Sequence, residues 1–404
     1  MSIKNILLVE NIHEVAKQTL QTEGFQVDLI SHAPSEEELL QILPRYQAIG
    51  IRSKTELTAQ VLESNPQLQV VGCFCIGTNQ VNLRAAKKLG IPVFNAPHSN
   101  TRSVAELVIS EMVMLSRQIG DRNSLAHRGE WLKSAVGSKE VRGKTVGIIG
   151  YGHIGSQVSI LAEAMGMRVL FYDVVKKLPL GNAVACSSLA ELLKNSDFVT
   201  LHVPETLETK DMIGAKEIAA MKKGSFLLNL SRGTVVVIEE LASALKSGHL
   251  AGAAVDVFPV EPASNKEKFV SPLQGVANVI LTPHIGGSTE EAQYAIGLEV
   301  AESFRKFIKI GTSSGAVNFP NVDLPKKQGT LRILNTHENK PGMLGEINGI
   351  ISRSGANIEA QYLSTDSDIG YLVMDVSVDK QTMDKIEGEI GGVQKSIRTR
   401  LIHS

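Results

Sequence analysis

Val146-Gly147-Ile148-Ile149-Gly150-Tyr151-Gly152-His153-Ile154-Gly155 decides how the middle of this chain folds. The apolar run VGII reads as a buried strand, and a G-x-G-x-x-G string follows it and opens a helical stretch, Ser156–Met165. Each glycine has a task. Gly150 permits the tight turn, Gly152 lets backbone approach a pyrophosphate, and Gly155 allows a helix to pack closely on the strand. The N-terminus of that helix offers unsatisfied N–H groups and partial positive charge to phosphates.

The next strand, RVLFY, ends at Asp173, eighteen residues beyond Gly155. A carboxylate there accepts the ribose hydroxyls of NAD and repels the extra phosphate of NADP. At about 4 Å and an effective dielectric of about 20 that repulsion is on the order of 4 kcal/mol per charge pair. The expected cofactor is therefore NAD.

Outward from this block the chain alternates short apolar runs with helical stretches, the rhythm of parallel sheets covered by helices. Toward the N-terminus, Lys4–Glu10, Ala48–Ile51, Val70–Cys75 and Pro92–Phe94 read as strands, and Val15–Glu23, Glu36–Leu43 and Asn82–Leu89 as helices. Asn100 is placed to cap a long helix, Thr101 to Arg117. Toward the C-terminus, Phe198–His202, Ser225–Asn229, Gly252–Val257 and Val279–Leu281 continue the strands. Ser288-Thr289-Glu290-Glu291 starts a helix running to about Ile308. Residues 311–329, rich in Gly, Ser, Pro and polar side chains, read as a linker. The last 75 residues give strand Leu331–Asn335, helix Met343–Arg353, strands Asn357–Ser364 and Gly370–Val378, helix Gln381–Glu389 and strand Ser396–Ile402. That βαββαβ order is ferredoxin-like.

Composition excludes several classes. Lys plus Arg is 41 against 42 Asp plus Glu, so no global charge draws nucleic acid or anionic membrane. No apolar run approaches the roughly 18 residues of a membrane span, and the start MSIKNILLVE carries no cleavage pattern. Three cysteines, Cys73, Cys75 and Cys186, suit a reducing compartment, and the cytoplasm is the expected location. Cys73 and Cys75 have no second pair with which to hold a metal, so no metal is expected and they read as apolar core.

Oxidising an alcohol by hydride transfer needs a base for the hydroxyl proton and a cation for a substrate carboxylate beside the nicotinamide. Three loops after expected strands carry candidates: Arg232 in Ser231-Arg232-Gly233, Glu261 in DVFPVEP, and His284 in Pro283-His284-Ile285-Gly286-Gly287. A guanidinium grips a carboxylate with two parallel hydrogen bonds. A carboxylate on one ring nitrogen of a His favours the imidazolium and leaves the other nitrogen to trade a proton. Singly, each of these residues has a plainer role as a solvated loop side chain.

The blocks GIIGYGHIGSQV, DFVTLHVPETLETKDMI, MKKGSFLLNLSRGTVV, LAGAAVDVFPVEP and LTPHIGGST resemble the D-isomer-specific 2-hydroxyacid dehydrogenases. The resemblance implies that Arg232, Glu261 and His284 are catalytic. It implies that Gly150, Gly152, His153, Ile154, Gly155, Asp173, His202, Leu230, Ser231, Arg232, Asp256, His284, Ile285, Gly286 and Gly287 line the NAD site. IRSKTELT, CIGTNQVN, VFNAPHSNTRSVAELVI and GEWLKSAVGSKEVRGKTVGIIGYGHIG look like the phosphoglycerate dehydrogenase subfamily. That likeness implies oxidation of 3-phosphoglycerate to 3-phosphohydroxypyruvate at the head of serine biosynthesis, with reduction of 2-oxoglutarate as a second activity. Arg52, Ser53 and Asn100 are then substrate contacts, joined by Lys133 beside the only Trp.

NTHENKPGMLG, from Asn335, and SGANIEAQY, from Ser354, resemble the ACT domain of that subfamily, in which a small amino acid binds at a subunit interface. This implies L-serine as a feedback effector on His337, Asn339 and Asn357, in a homo-oligomer, expected to be a tetramer. The expected fold is α/β: a flavodoxin-like substrate domain (1–97 and 288–320), a Rossmann NAD domain (98–287), both doubly wound parallel sheets, and a ferredoxin-like ACT domain (330–404). Two alternatives stay open: another member of the 2-hydroxyacid family acting on glyoxylate or hydroxypyruvate, and an NAD-sensing corepressor-like binding protein.

Overall fold

The computed structural model describes residues 3–262 and 266–402. The chain divides into two compact units, Met1–Ser99 with Gln293–Ser404, and Asn100–Ala292.

The first unit holds two sheets. One is wholly parallel, built of β1 (Asn5–Leu8), β2 (Gln26–Leu29), β3 (Ala48–Ile51), β4 (Val70–Cys73) and β5 (Val93–Asn95) in the order β2-β1-β3-β4-β5. AIGI and VVGC are buried along their whole length, as strands with helices on both faces must be. Edge strand β2 adds to the expected elements; only one of its four side chains is buried, so QVDL gives little apolar signal.

The last sheet is antiparallel: β13 (Leu331–Glu338), β14 (Asn357–Thr365), β15 (Ile369–Ser377) and β16 (Ser396–Ile402), in the order β14-β15-β13-β16. Helices Met343–Arg353 and Lys380–Gly391 cover the face that presents Ile333, Leu372, Met374 and Val376. The opposite face meets the first sheet's core. There Arg332, fully buried, spends all five N–H donors: on Asp375 (2.6 and 2.7 Å) and on the carbonyls of Ile310, Leu324 and Pro325. A buried guanidinium is tolerable only when satisfied in this way.

The linker expectation for residues 311–329 fails over its first half. Ser313, Asn318 and Val322 are buried. Asn318 Nδ2 donates to Ile91 O (2.9 Å), its Oδ1 accepts from Val93 N (2.8 Å), and Ser313 Oγ donates to Pro320 O (2.6 Å). The polar residues that suggested a linker satisfy backbone as the segment packs along β5.

The second unit is the seven-stranded parallel sheet of β6 (Thr145–Ile149), β7 (Arg168–Tyr172), β8 (Val184–Ala185), β9 (Phe198–Leu201), β10 (Phe226–Asn229), β11 (Gly252–Val255) and β12 (Val279–Leu281), in the order β12-β11-β10-β9-β6-β7-β8. The order reverses direction at β6, the switch point beside which doubly wound sheets bind ligands. The helix after β6 begins at His153, not Ser156, because Gly152 already holds the N-cap position. Asn100 stands at the N-cap of the helix Thr101–Arg117, but its side chain makes no capping hydrogen bond. Its backbone (φ −103°, ψ 6°) lies outside the extended region from which a cap side chain reaches the first turn. Thr289 caps the helix whose start Ser288–Glu291 signalled, its Oγ1 accepting from Ala292 N (3.1 Å), and the helix Glu290–Ile310 runs two residues past Ile308.

Candidate active site

The loop after β12 is bent by His284, whose φ of +55° lies in the left-handed region that residues other than glycine seldom enter. Three kinds of contact hold it. The His284 N–H donates to Asp256 O (2.8 Å) and Thr282 O (3.0 Å). Asp256 Oδ1 accepts from Thr282 Oγ1 (2.6 Å) and Ile285 N (2.8 Å), and Oδ2 from Gly286 N (2.8 Å). Asp256 itself is buried at the end of β11. Gly287 leaves room for Asn100, whose amide nitrogen a Cβ there would strike.

His284 Nδ1 is 2.9 Å from Glu261 Oε2, and Glu261 Oε1 accepts from Phe258 N (3.0 Å). A carboxylate only accepts, so Nδ1 carries the hydrogen and Nε2 is the nitrogen that exchanges protons. The bond to Glu261 raises the imidazole above its usual range, against the pull of burial. Burial works to raise Glu261, but its bonds to His284 and the Phe258 amide outweigh that and hold its carboxyl below the usual range. The charge of Arg232 acts on both groups. Thus the three residues singled out from separate stretches of sequence gather within one unit.

Two residues that sequence reading missed build this arrangement. Asn229, fully buried at the end of β10, donates to Arg232 O (3.0 Å) and accepts from Ser231 N (3.1 Å) and Ser231 Oγ (2.8 Å). The signal was a lone amide inside the apolar run FLLNL. Gly233 is the second: a Cβ there would run into the carbonyl group of Phe258, so only glycine lets the Arg232 loop meet the Glu261 loop.

The glycine turn has the expected geometry. Gly150 adopts φ +90°, and a Cβ there would strike the carbonyl of His202. A Cβ on Gly155 would strike the carbonyl oxygen of Gly150, whereas one on Gly152 meets nothing within 4 Å and projects into open space before the helix His153–Ala164. Ile154 packs partly into the core while His153 faces outward. Asp173, half-buried, accepts from Tyr151 N (2.8 Å) and Val175 N (2.9 Å), which ties it to the turn. His202 is half-buried, its Nε2 3.0 Å from Thr200 Oγ1, and loss of solvent around the ring drives its pKa down to about 3, so it is neutral. Its Nδ1 has no hydrogen-bond partner among the described residues. Leu230 is buried beneath the next loop. The open cradle, the helix N-terminus and the unpartnered imidazole nitrogen fit a bound dinucleotide.

The substrate candidates are shared between the units. In the first, Arg52 and Ser53 lie in a turn organised by Glu10, another residue missed from sequence. Glu10 (φ +65°) accepts from Arg52 N (3.0 Å), Lys54 N (3.0 Å) and Thr55 N (2.8 Å). In the second, Asn100 Oδ1 is buried without a hydrogen-bond partner, and Lys133 and Trp131 are exposed.

The regulatory candidates are not brought together within one chain. His337 is buried at the end of β13, with Nδ1 2.8 Å from Asn335 Oδ1. Asn339 Nδ2 donates to Asp366 O (2.6 Å). His337 pairs in register with Gly370 of β15, whereas Asn357 pairs with Ser377 at the other end of that strand. At about 3.4 Å per residue the two lie roughly 24 Å apart along the sheet. Asn357 is exposed and bonds Glu359 Oε1 (3.0 Å).

Residues 109–286 match the D-isomer specific 2-hydroxyacid dehydrogenase NAD binding domain, and residues 333–398 match an AHAS small subunit-like ACT domain. The chain is 53% identical over 398 residues to D-3-phosphoglycerate dehydrogenase of Dictyostelium discoideum, covering 98% of this chain and 97% of that one. It is 52% identical over 398 residues to the Escherichia coli K12 protein of the same name, with the same coverage. Among solved structures it resembles D-lactate dehydrogenase from Aquifex aeolicus with NAD and lactic acid: TM-score 0.68, 29% identity, over 78% of this chain and 100% of that one. The TT0316 protein of Thermus thermophilus gives TM-score 0.70 at 28% identity, over 78% and 99% of the two chains.

Proposed function

The chain belongs to the D-3-phosphoglycerate dehydrogenase family and is an NAD-dependent oxidoreductase with a C-terminal ACT domain, and on that premise we propose that it oxidises 3-phosphoglycerate to 3-phosphohydroxypyruvate, opening serine biosynthesis. The observation that carries the reading is the His284–Glu261 pair at 2.9 Å, with the Arg232 charge acting on both.

NAD, once bound, would supply the hydride acceptor. His284 Nε2 takes the hydroxyl proton of the substrate, with Nδ1 anchored on Glu261, which stabilises the imidazolium that results. Arg232 grips the substrate carboxylate with paired N–H bonds and orients the reacting carbon. Gly150, Gly152 and Gly155 admit the pyrophosphate and Asp173 receives the ribose. His202, Leu230, Ser231, Asp256, Ile285, Gly286 and Gly287 form the rest of the dinucleotide wall. Arg52, Ser53, Asn100 and Lys133 supply donors for the substrate's anionic groups.

L-serine is the proposed effector of the ACT domain, on His337, Asn339 and Asn357. Since one chain holds His337 and Asn357 at opposite ends of β15, a site using both needs a second copy, which supports a homo-oligomer; a tetramer in the cytoplasm is the proposed state. No helix among the described residues is long and apolar enough to cross a membrane.

One assay tests the reading: NADH oxidation with phosphohydroxypyruvate, hydroxypyruvate, glyoxylate and 2-oxoglutarate, each with and without L-serine. Phosphohydroxypyruvate should give the highest kcat/KM, 2-oxoglutarate a lower rate, and serine should inhibit. A preference for glyoxylate or hydroxypyruvate would replace the substrate, and no turnover at all would return the NAD-sensing alternative.

A further inference from the structure

Arg52 stands just past the end of β3, whose neighbours in the sheet are β1 and β4. Doubly wound sheets bind their ligands at these carboxyl ends. The segments after both neighbours send a side chain to the Arg52 backbone. From just past β1, Glu10 Oε1 accepts the Arg52 N–H (3.0 Å). From the loop after β4, Gln80 Nε2 donates to Arg52 O (2.6 Å). A carbonyl only accepts, so the amide nitrogen of Gln80 is the atom that faces it. Both backbone polar groups of Arg52 are thus fixed by side chains 42 and 28 residues away in the chain.

Gln80 is itself fixed at its base. Its carbonyl accepts from Leu57 N (2.8 Å), and Leu57 O accepts from Asn82 N (2.9 Å), in a short parallel bridge of Leu57 with Val81. Its half-buried side chain also places Nε2 3.3 Å from Cys75 Sγ. Gln80 therefore closes the segment 52–57 at both ends, by its side chain at residue 52 and by its backbone at residue 57.

The guanidinium of Arg52 is left differently. Its one hydrogen bond is long, to Glu10 O (3.4 Å), and it forms no ion pair among the described residues. Arg305 and Arg332, by contrast, sit against carboxylates at 2.6 Å. A guanidinium without its own carboxylate is suited to take an anion from outside. Pinning the backbone beneath it narrows the positions it samples, and so lowers the cost of gripping that anion.

We propose that Gln80 is a positioning residue for substrate recognition: by holding the Arg52 carbonyl it fixes the point from which the guanidinium reaches a second anionic group of the substrate. It thereby sets the preference for a phosphorylated 2-oxo acid over its unphosphorylated counterpart. Gln80 acts through residue 52 and not on the substrate. The inference rests on Arg52 being a substrate contact.

Steady-state reduction with NADH tests it, using phosphohydroxypyruvate and hydroxypyruvate, which differ only in the phosphate. Gln80→Met keeps the length of the side chain and lacks the donor. It should raise KM for phosphohydroxypyruvate about tenfold, with kcat and the NADH dissociation constant within about threefold of the wild type. With hydroxypyruvate, which has no second anionic group, kcat/KM should stay within about threefold. Arg52→Ala should lower kcat/KM for phosphohydroxypyruvate further, and the double variant should lose no more than Arg52→Ala alone, within about twofold. Gln80→Met without effect on phosphohydroxypyruvate, an equal loss with both substrates, or a loss that multiplies with that of Arg52→Ala overturns the proposal. If Gln80→Met does not accumulate as folded protein, Gln80→Ala goes through the same cycle and the same outcomes decide. An Arg52→Ala variant with the wild-type KM for phosphohydroxypyruvate removes the reading of Arg52 beneath the inference; a loss in Arg52→Ala that Gln80→Met does not share removes this inference alone.

Discussion

At the scale of single residues the chemistry rests on where one proton sits. Glu261 holds Nδ1 of His284 and raises its affinity for a proton, so the imidazolium is favoured in reduction and must be emptied in oxidation. On the proposed reading, oxidation should therefore fail as pH falls through this raised value. Replacing Glu261 by Gln removes the charge that raises it, so the acid limb of kcat/KM for oxidation should move to lower pH, with a loss of rate as the ring loses its anchor. An acid limb that stays in place would mean that Glu261 does not set the basicity of His284. His284→Asn removes the exchangeable nitrogen and should lose at least about 10² in turnover while still binding NADH in a fluorescence titration. Near-normal turnover would take His284 out of its role. The types of these residues were readable in the sequence, and the resemblance named them. Their supports were less so: Glu10 bonds backbone distant in the chain and Gly233 allows close approach, and neither leaves a local pattern, while Asn229, which bonds the loop just after it, showed only as a lone amide in an apolar run.

At the scale of elements, the strand–turn–helix around Gly150 is a single device. β6 delivers Gly150 in a left-handed conformation, Gly155 lets the helix sit against the carbonyl of Gly150, and β7 delivers Asp173. The structure adds a second duty for that acid, since both its oxygens accept backbone N–H groups of the turn region. Cofactor choice is thus best tested by Asp173→Asn, which removes the charge and keeps an acceptor. The ratio of kcat/KM for NAD over NADP should fall; an unchanged ratio would place the ribose contact elsewhere. Asp173→Ala should lower that ratio too, and should also cost roughly 1 kcal/mol for each backbone bond lost, read as a fall in Tm.

At the scale of the whole molecule, the ACT sheet is fastened to the unit that also holds the first parallel sheet. Arg332 grips the end of the helix Glu290–Ile310, Arg400 donates to Phe307 O (2.6 Å), and Tyr371 donates to Gly311 O (2.7 Å). Lys87, near the end of the helix Leu83–Lys88, reaches Asp366 (2.9 Å) and Asp368 (3.1 Å). The Tyr371 bond to Gly311 and the Asn318 bonds to Ile91 and Val93 hold residues 311–322 against the first sheet. Asn357 is exposed, bonds Glu359 and takes no part in these fastenings, so it can change without removing one of them. Asn357→Ala should raise the serine concentration needed for half-inhibition, by roughly 5-fold or more if the site carries a typical coupling of about 1–3 kcal/mol, and leave turnover without serine intact. Unchanged serine sensitivity would discard Asn357 as an effector contact.

The sequence by itself determined most of the alternating strands and helices, though not edge strand β2 or the short β8, together with the glycine turn with its acid and the βαββαβ end, because each is set by periodicity or by a backbone conformation that few residues adopt. Tertiary structure alone decided which residues meet. The left-handed His284 turn on Asp256, the approach of the Arg232 and Glu261 loops over Gly233, the packing of residues 311–322 on β5, and the separation of His337 from Asn357 along β15 all join segments distant in the chain. Local propensity carries no information about such pairings. They follow from which carbonyls and carboxylates are left to satisfy once the sheets have formed.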